Sequence, residues 1–168
     1  MADVVFTDPF GLCLENAETV LANVTAFRTW VSAADAAAAK ASIYLVTVES
    51  PARPFVEMWH EDARRNSVST TTSTEFGPDV GGRIVLRFEA IPNVAYAADF
   101  QNEAKSFMHD VYGIMDGLAA LAGVGAYLNF SAYYPVDSQP SYVEGSQGSA
   151  AYWVWNWALD LSDGQPNE

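Results

Sequence analysis

Asp99-Phe-Gln-Asn-Glu-Ala-Lys-Ser-Phe-Met-His-Asp-Val-Tyr-Gly-Ile-Met-Asp-Gly-Leu-Ala-Ala-Leu-Ala122 is the longest helical pattern in the chain. At about 100° per residue, Phe100, Phe107, Val111, Ile114, Met115, Leu118 and Leu121 fall on one arc. Asn102, Lys105, Ser106, Asp110, Asp116 and Ala120 fall on the other. Asp99 and Glu103 sit in the first turn, where negative charge suits the helix dipole. Gly123 and Gly125 follow it as caps, because glycine readily adopts the left-handed conformation. Burying such side chains is worth roughly 1.5–3 kcal/mol each before entropy. An isolated helix cannot collect that, so a sheet is expected beneath it.

The sheet is sought on either side of this helix. Before it, Arg83 to Ala90 alternates, with Ile84, Leu86, Phe88 and Ala90 on one face and Arg83, Arg87 and Glu89 on the other. After it come Tyr127 to Tyr134, with Leu128, Phe130 and Ala132 on one face, and Tyr152 to Leu161. In the last, Trp153, Trp155, Trp157, Leu159 and Leu161 share a face. Pro135 to Ser149 reads as a surface loop and 162–168 as a flexible tail. Further upstream, Asp8-Pro9 opens a helix whose Cys13, Ala17, Val20, Val24, Phe27 and Val31 align. Ser32 is expected to start a short alanine helix, and Ile43 to Val48 to extend into the sheet. Phe55 to Glu61 reads as a strand, Glu61 to Asn66 as a charged turn, and Ser67 to Glu75 as a Thr/Ser-rich strand or loop. The expected architecture is one α+β domain over 1–168. It has a mostly antiparallel sheet of four to five strands and two long helices on one face. A polar hairpin arm spans about 55–82.

Composition narrows the function classes. The chain has 168 residues, half of them hydrophobic, enough for one domain with a sizeable core. It has no apolar run of membrane-spanning length and no basic, apolar leader, so neither a membrane anchor nor secretion is expected. The net charge of −13 argues against ordinary nucleic-acid binding. Charge is uneven: residues 51–90 hold five of the eight basic residues, whereas residues 91–168 hold nine acids and one lysine.

Motifs for catalysis are missing. No glycine-rich loop leads into Lys-Ser/Thr, and His60 and His109 lack partners at metal-ligand spacing. Cys13 lies on an apolar stripe and reads as a packing residue. No enzyme activity, catalytic residue, cofactor or metal is therefore expected. Three features point to binding. The tryptophan row could stack a ligand, although its alternation favours a place under the helices. Arg53, Arg64 and Arg65 belong to a polar arm. Gly113 and Gly117 lie on the back of the central helix, where each glycine costs about 1 kcal/mol against alanine. That cost points to close approach of another backbone, so Gly117→Leu is expected to block assembly and leave the monomer folded.

Four segments carry a family likeness. They are Phe27-Arg-Thr-Trp-Val-Ser-Ala-Ala-Asp-Ala-Ala-Ala-Ala39, the strand Arg83-Ile-Val-Leu-Arg-Phe-Glu89 after Gly81-Gly82, the passage into Gly125-Ala-Tyr-Leu-Asn129, and Tyr152-Trp-Val-Trp-Asn-Trp157. In them the chain resembles the tail terminator (tail completion) proteins of long-tailed bacteriophages. The resemblance implies a structural protein of the virion neck, assembled in the host cytoplasm. It implies a homo-oligomer, typically a hexameric ring, that caps the tail tube, ends its polymerisation and joins it to the head connector. The implied partners are the major tail tube protein and a head-completion or stopper protein. DNA would pass through the lumen without specific binding, and no membrane is involved. Alternatives are another head–tail joining protein and a small α+β ligand-binding domain.

Overall fold

The computed structural model describes residues 9–48, 51–65, 80–92, 99–122, 128–145 and 150–161. The helices are α1 (Pro9–Asn23), α2 (Thr25–Trp30), α3 (Ala36–Lys40) and α4 (Phe100–Ala122). The strands are β1 (Ile43–Tyr44), β2 (Phe55–Arg65), β3 (Val80–Ala90), β4 (Phe130–Pro135), β5 (Ser141–Val143) and β6 (Tyr152–Leu161). They form one six-stranded sheet in the order β1-β2-β3-β6-β4, with β5 also pairing β6. The fold is α+β, as expected. The sheet corrects the expectation of four or five strands: it is mixed, because β1 runs parallel to β2 while the other pairs are antiparallel.

The aromatic strand β6 organises the sheet. Trp153, Trp155, Trp157, Leu159 and Leu161 are buried on one face. With Val56, Met58, Ile84, Leu86 and Phe88 they join one cluster with the helices. From the helices it takes Cys13, Ala17, Phe27, Phe107, Val111, Ile114, Met115 and Leu118. Phe100 and Leu121, expected on the buried arc, are exposed. The tryptophans are thus core residues and form no stacking platform. Val85 and Ala158 are also buried, on the opposite face.

Local chemistry explains the other departures. The first helix breaks at Val24, whose extended backbone (ψ 119°) separates α1 from α2. Asp35, not Ser32, caps α3: its carboxylate accepts the Ala38 N–H at 2.8 Å. Ser32 instead sits in the left-handed region (φ 57°). Only Ile43 and Tyr44 of the expected 43–48 strand are paired. The charged segment after Glu61 does not turn; it continues β2 to Arg65 through a bulge between Glu61 and Arg64. There Asp62 (φ 53°) and Gly82 (φ 108°) have left-handed backbone. In β4 a bulge between Phe130 and Ala132 interrupts the alternation. Phe130 packs on the core, and Ala132 pairs with the outward Asp160. The loop expected at 135–149 contains β5, where Tyr142 packs against Phe100 and Trp153 with centroids 5.2 and 5.1 Å away. Asp8, Gly123, Gly125, the Ser67–Glu75 run and the 162–168 tail lie outside the described residues.

Candidate functional site

The hairpin β2–β3 is the longest pairing in the sheet. Its partner strand is Val80–Ala90. β6 accompanies β3 only from Arg83 to Ala90, and β1 accompanies β2 only at Val56 and Glu57. The end holding Arg64↔Gly81 and Arg65↔Val80 is therefore a two-stranded ribbon among the described residues. Its backbone carries Arg64 and Arg65 away from the rest of the sheet.

Arg53 lies at the other end and is engaged inside the chain. Its Nε and Nη2 donate to Glu89 Oε2 at 2.9 and 2.7 Å. Its guanidinium stacks 3.9 Å above the Tyr152 ring. Arg87 Nη2 donates to Glu89 Oε1 at 2.7 Å, so one buried carboxylate joins two arginines. Further along the same face, Arg83 bridges Glu61 at 3.2 Å and Asp160 at 3.6 Å.

Gly117 and Gly113 have different roles. A Cβ at Gly117 would lie 2.6 Å from Val24 Cγ1, so its close approach is made within the chain, at the break between α1 and α2. A larger side chain there disturbs the monomer itself, against the expectation for Gly117→Leu. A Cβ at Gly113 would meet nothing within 4 Å. Gly113 lines a groove with Thr29, Trp30 and Asp110.

That groove adjoins a cleft of about 340 Å³ that shares Trp30 and Asp110 with it. Glu103, Ser106, Phe107 and Asp110 enter the cleft from α4, at the i, i+3, i+4, i+7 spacing of one helix face. Trp153 and Trp30 wall it, and Pro54, Ile91 and Pro92 form its rim. Glu103 is only 6% exposed, yet its Oε1 has no hydrogen-bond partner among the described residues, nor does Trp153 Nε1. Desolvation pushes the Asp110 carboxyl up from its ordinary value, against the opposing pull of His109. Among the described residues its lining contains no lysine or arginine. In the sequence alone, Glu103 has a sufficient explanation in the helix dipole. The signal that identifies it is a carboxylate on the same arc as Phe107 and Val111.

Other candidates show no convergence. His60 Nε2 lies 2.8 Å from the Phe10 carbonyl and its ring packs edge-on to Phe10. Cys13 is buried, and desolvation pushes its thiol up to about 12. Among the described residues no group of three or more His, Cys, Asp or Glu side chains could hold a metal ion. Among them, too, no helix is long and apolar enough to cross a membrane. Compared with known proteins, the chain matches no family model and no curated sequence.

Proposed function

We propose that this chain is a structural ring protein of a phage neck, of the tail terminator kind, which caps the tail tube and joins it to the head connector. The observation that carries the reading is the β2–β3 ribbon. A two-stranded extension bearing Arg64 and Arg65 suits contact with a neighbour better than it suits the chain's own core. The rest of the chain is strongly acidic, with nine acids to one lysine over residues 91–168. Opposite charges on separate parts of one chain favour head-to-tail association, the type that closes into rings. The excess of acid also suits a lumen that passes DNA without holding it. The four-segment resemblance supplies the identity of the ring. The ligand-stacking alternative loses its platform, since all three tryptophans of β6 are buried.

Light scattering at two protein concentrations and two salt levels tests the ring, followed by electron microscopy with purified tail tubes. Hexamers, or monomers that form a cap on tube ends, are the expected result. A chain that stays monomeric and leaves tubes uncapped overturns the reading. Within it, Arg64→Glu with Arg65→Glu abolishes capping.

A further inference from the structure

A second cleft, of about 470 Å³, opens between the start of α4 and β5. That volume is in the range of small-molecule sites. Phe100 at the first position of α4, Tyr142 of β5 and Trp153 of β6 line it. Their rings touch one another. The Phe100 centroid lies 4.9 Å from Trp153 and 5.2 Å from Tyr142, and Tyr142 lies 5.1 Å from Trp153. Trp153 is 3% exposed and acts as backing, whereas Phe100 is 56% exposed. Phe100 is thus an open aromatic surface held in place by two further rings.

The polar part of the lining narrows the ligand. Gln101, Gln139 and Ser141 line the cleft and are exposed. Each of these side chains can both donate and accept a hydrogen bond. None of the described residues that line the cleft is charged, in a chain with 21 acidic and 8 basic residues. An ionic ligand would meet no counter-charge there, so the matching ligand is neutral. It must offer an apolar face to Phe100 and groups that donate as well as accept. A pyranose ring has both, with C–H bonds on its faces and hydroxyls around its rim. A proline-rich peptide is the other neutral partner of aromatic grooves. It has the apolar rings, but its prolines have no N–H to give to the amide and hydroxyl oxygens.

We propose that this cleft binds a neutral sugar, its ring stacked on Phe100 and its hydroxyls bonded by Gln101, Gln139 and Ser141. The tryptophan row takes part only through Trp153, as the support behind Phe100. The proposal does not depend on the ring reading, which is tested by mass and by tube capping.

Saturation-transfer NMR on the full chain tests it, with methyl glycosides of glucose, galactose and N-acetylglucosamine as probes and an oligoproline peptide as the alternative ligand. At least one glycoside binds, with a dissociation constant of about 1 mM, and its ring C–H protons receive the saturation. Phe100→Leu keeps apolar bulk but removes the flat ring, and weakens binding about tenfold, whereas Phe100→Tyr retains it. Gln101→Ala with Gln139→Ala, both at exposed positions, weakens binding in the same direction without touching the rings. Circular dichroism checks that each variant folds, and the glutamine pair decides the matter if Phe100→Leu does not. Failure of all three glycosides to bind the wild type overturns the proposal. So does binding that is unchanged in the folded variants, or a groove that takes oligoproline and no sugar.

Discussion

Two glycines one turn apart on α4 should respond to alanine with opposite sign. Replacing glycine by alanine in a helix interior gains about 0.8–1.0 kcal/mol from backbone propensity. At Gly113 nothing stands within 4 Å of the new methyl, so Gly113→Ala should stabilise by about that amount. At Gly117 the methyl would lie 2.6 Å from Val24 Cγ1. Val24 is 1% exposed, and a β-branched side chain is stiff at χ1, so the contact cannot be relieved by a simple rotation. Overpacking of this kind costs about 1–3 kcal/mol. Less the propensity gain, Gly117→Ala should destabilise by about 0–2 kcal/mol. Val24→Ala removes the offending methyl and leaves Cβ, 3.8 Å away, as an ordinary contact. In that background Gly117→Ala should become stabilising by about 1 kcal/mol, a coupling of about 1–3 kcal/mol. Urea unfolding followed by circular dichroism reads all four variants, and thermal midpoints should move about 2–4 °C per kcal/mol. Equal stabilisation by Gly117→Ala in both backgrounds would refute the packing argument.

Glu89→Gln should destabilise by about 2–3 kcal/mol in urea unfolding, because it weakens two charged hydrogen bonds at once. Its carboxylate is 5% exposed and takes Arg53 and Arg87 at 2.7 Å each. Cys13 makes stability fall in alkali. The native thiol is pushed up from 9.0 to about 12, so above pH 9 the unfolded chain loses a proton that the native chain keeps. Wild type should therefore lose up to about 1.4 kcal/mol per pH unit relative to Cys13→Ala; parallel pH profiles for the two would count against it. Ser32→Gly should raise the urea midpoint, since Ser32 occupies a left-handed conformation (φ 57°) that costs a non-glycine residue about 1 kcal/mol.

The large periodic elements were legible in the sequence because their side-chain pattern is also their burial pattern. α4 and β6 follow from the repeats of Phe107, Val111, Ile114, Leu118 and of Trp153, Trp155, Trp157. The extra strands were not, for particular reasons. β1 and β5 are two and three residues long, too short to show any period, and their pairing is decided by neighbours distant in sequence. The continuation of β2 past Glu61 was hidden because Asp62 and Gly82 absorb a bulge there, and a charged run reads locally as a turn. The helix break at Val24 was hidden because Val20 before it, Phe27 after it and Val24 itself are all buried, so the apolar period survives the interruption.

The candidate site was legible only in halves. Arg64-Arg65 stands out in sequence as a doublet of charge in an acidic protein. Glu103 does not, since a carboxylate in a helix's first turn already has a sufficient local explanation in the dipole. What separates the two explanations is the arc on which Glu103 lies. A carboxylate serving the dipole alone has no need to be buried, and the exposed Asp99, whose side chain accepts the Asn102 N–H at 3.1 Å, already serves the helix end. Glu103 is buried beside Phe107 with an oxygen unpaired. Stability alone would favour an apolar residue at that position, because an unpaired buried acceptor only costs free energy in the monomer. Glu103→Leu should therefore stabilise the chain in urea unfolding, and a lowered urea midpoint would refute the reading of Glu103 as an unpaired, costly acceptor.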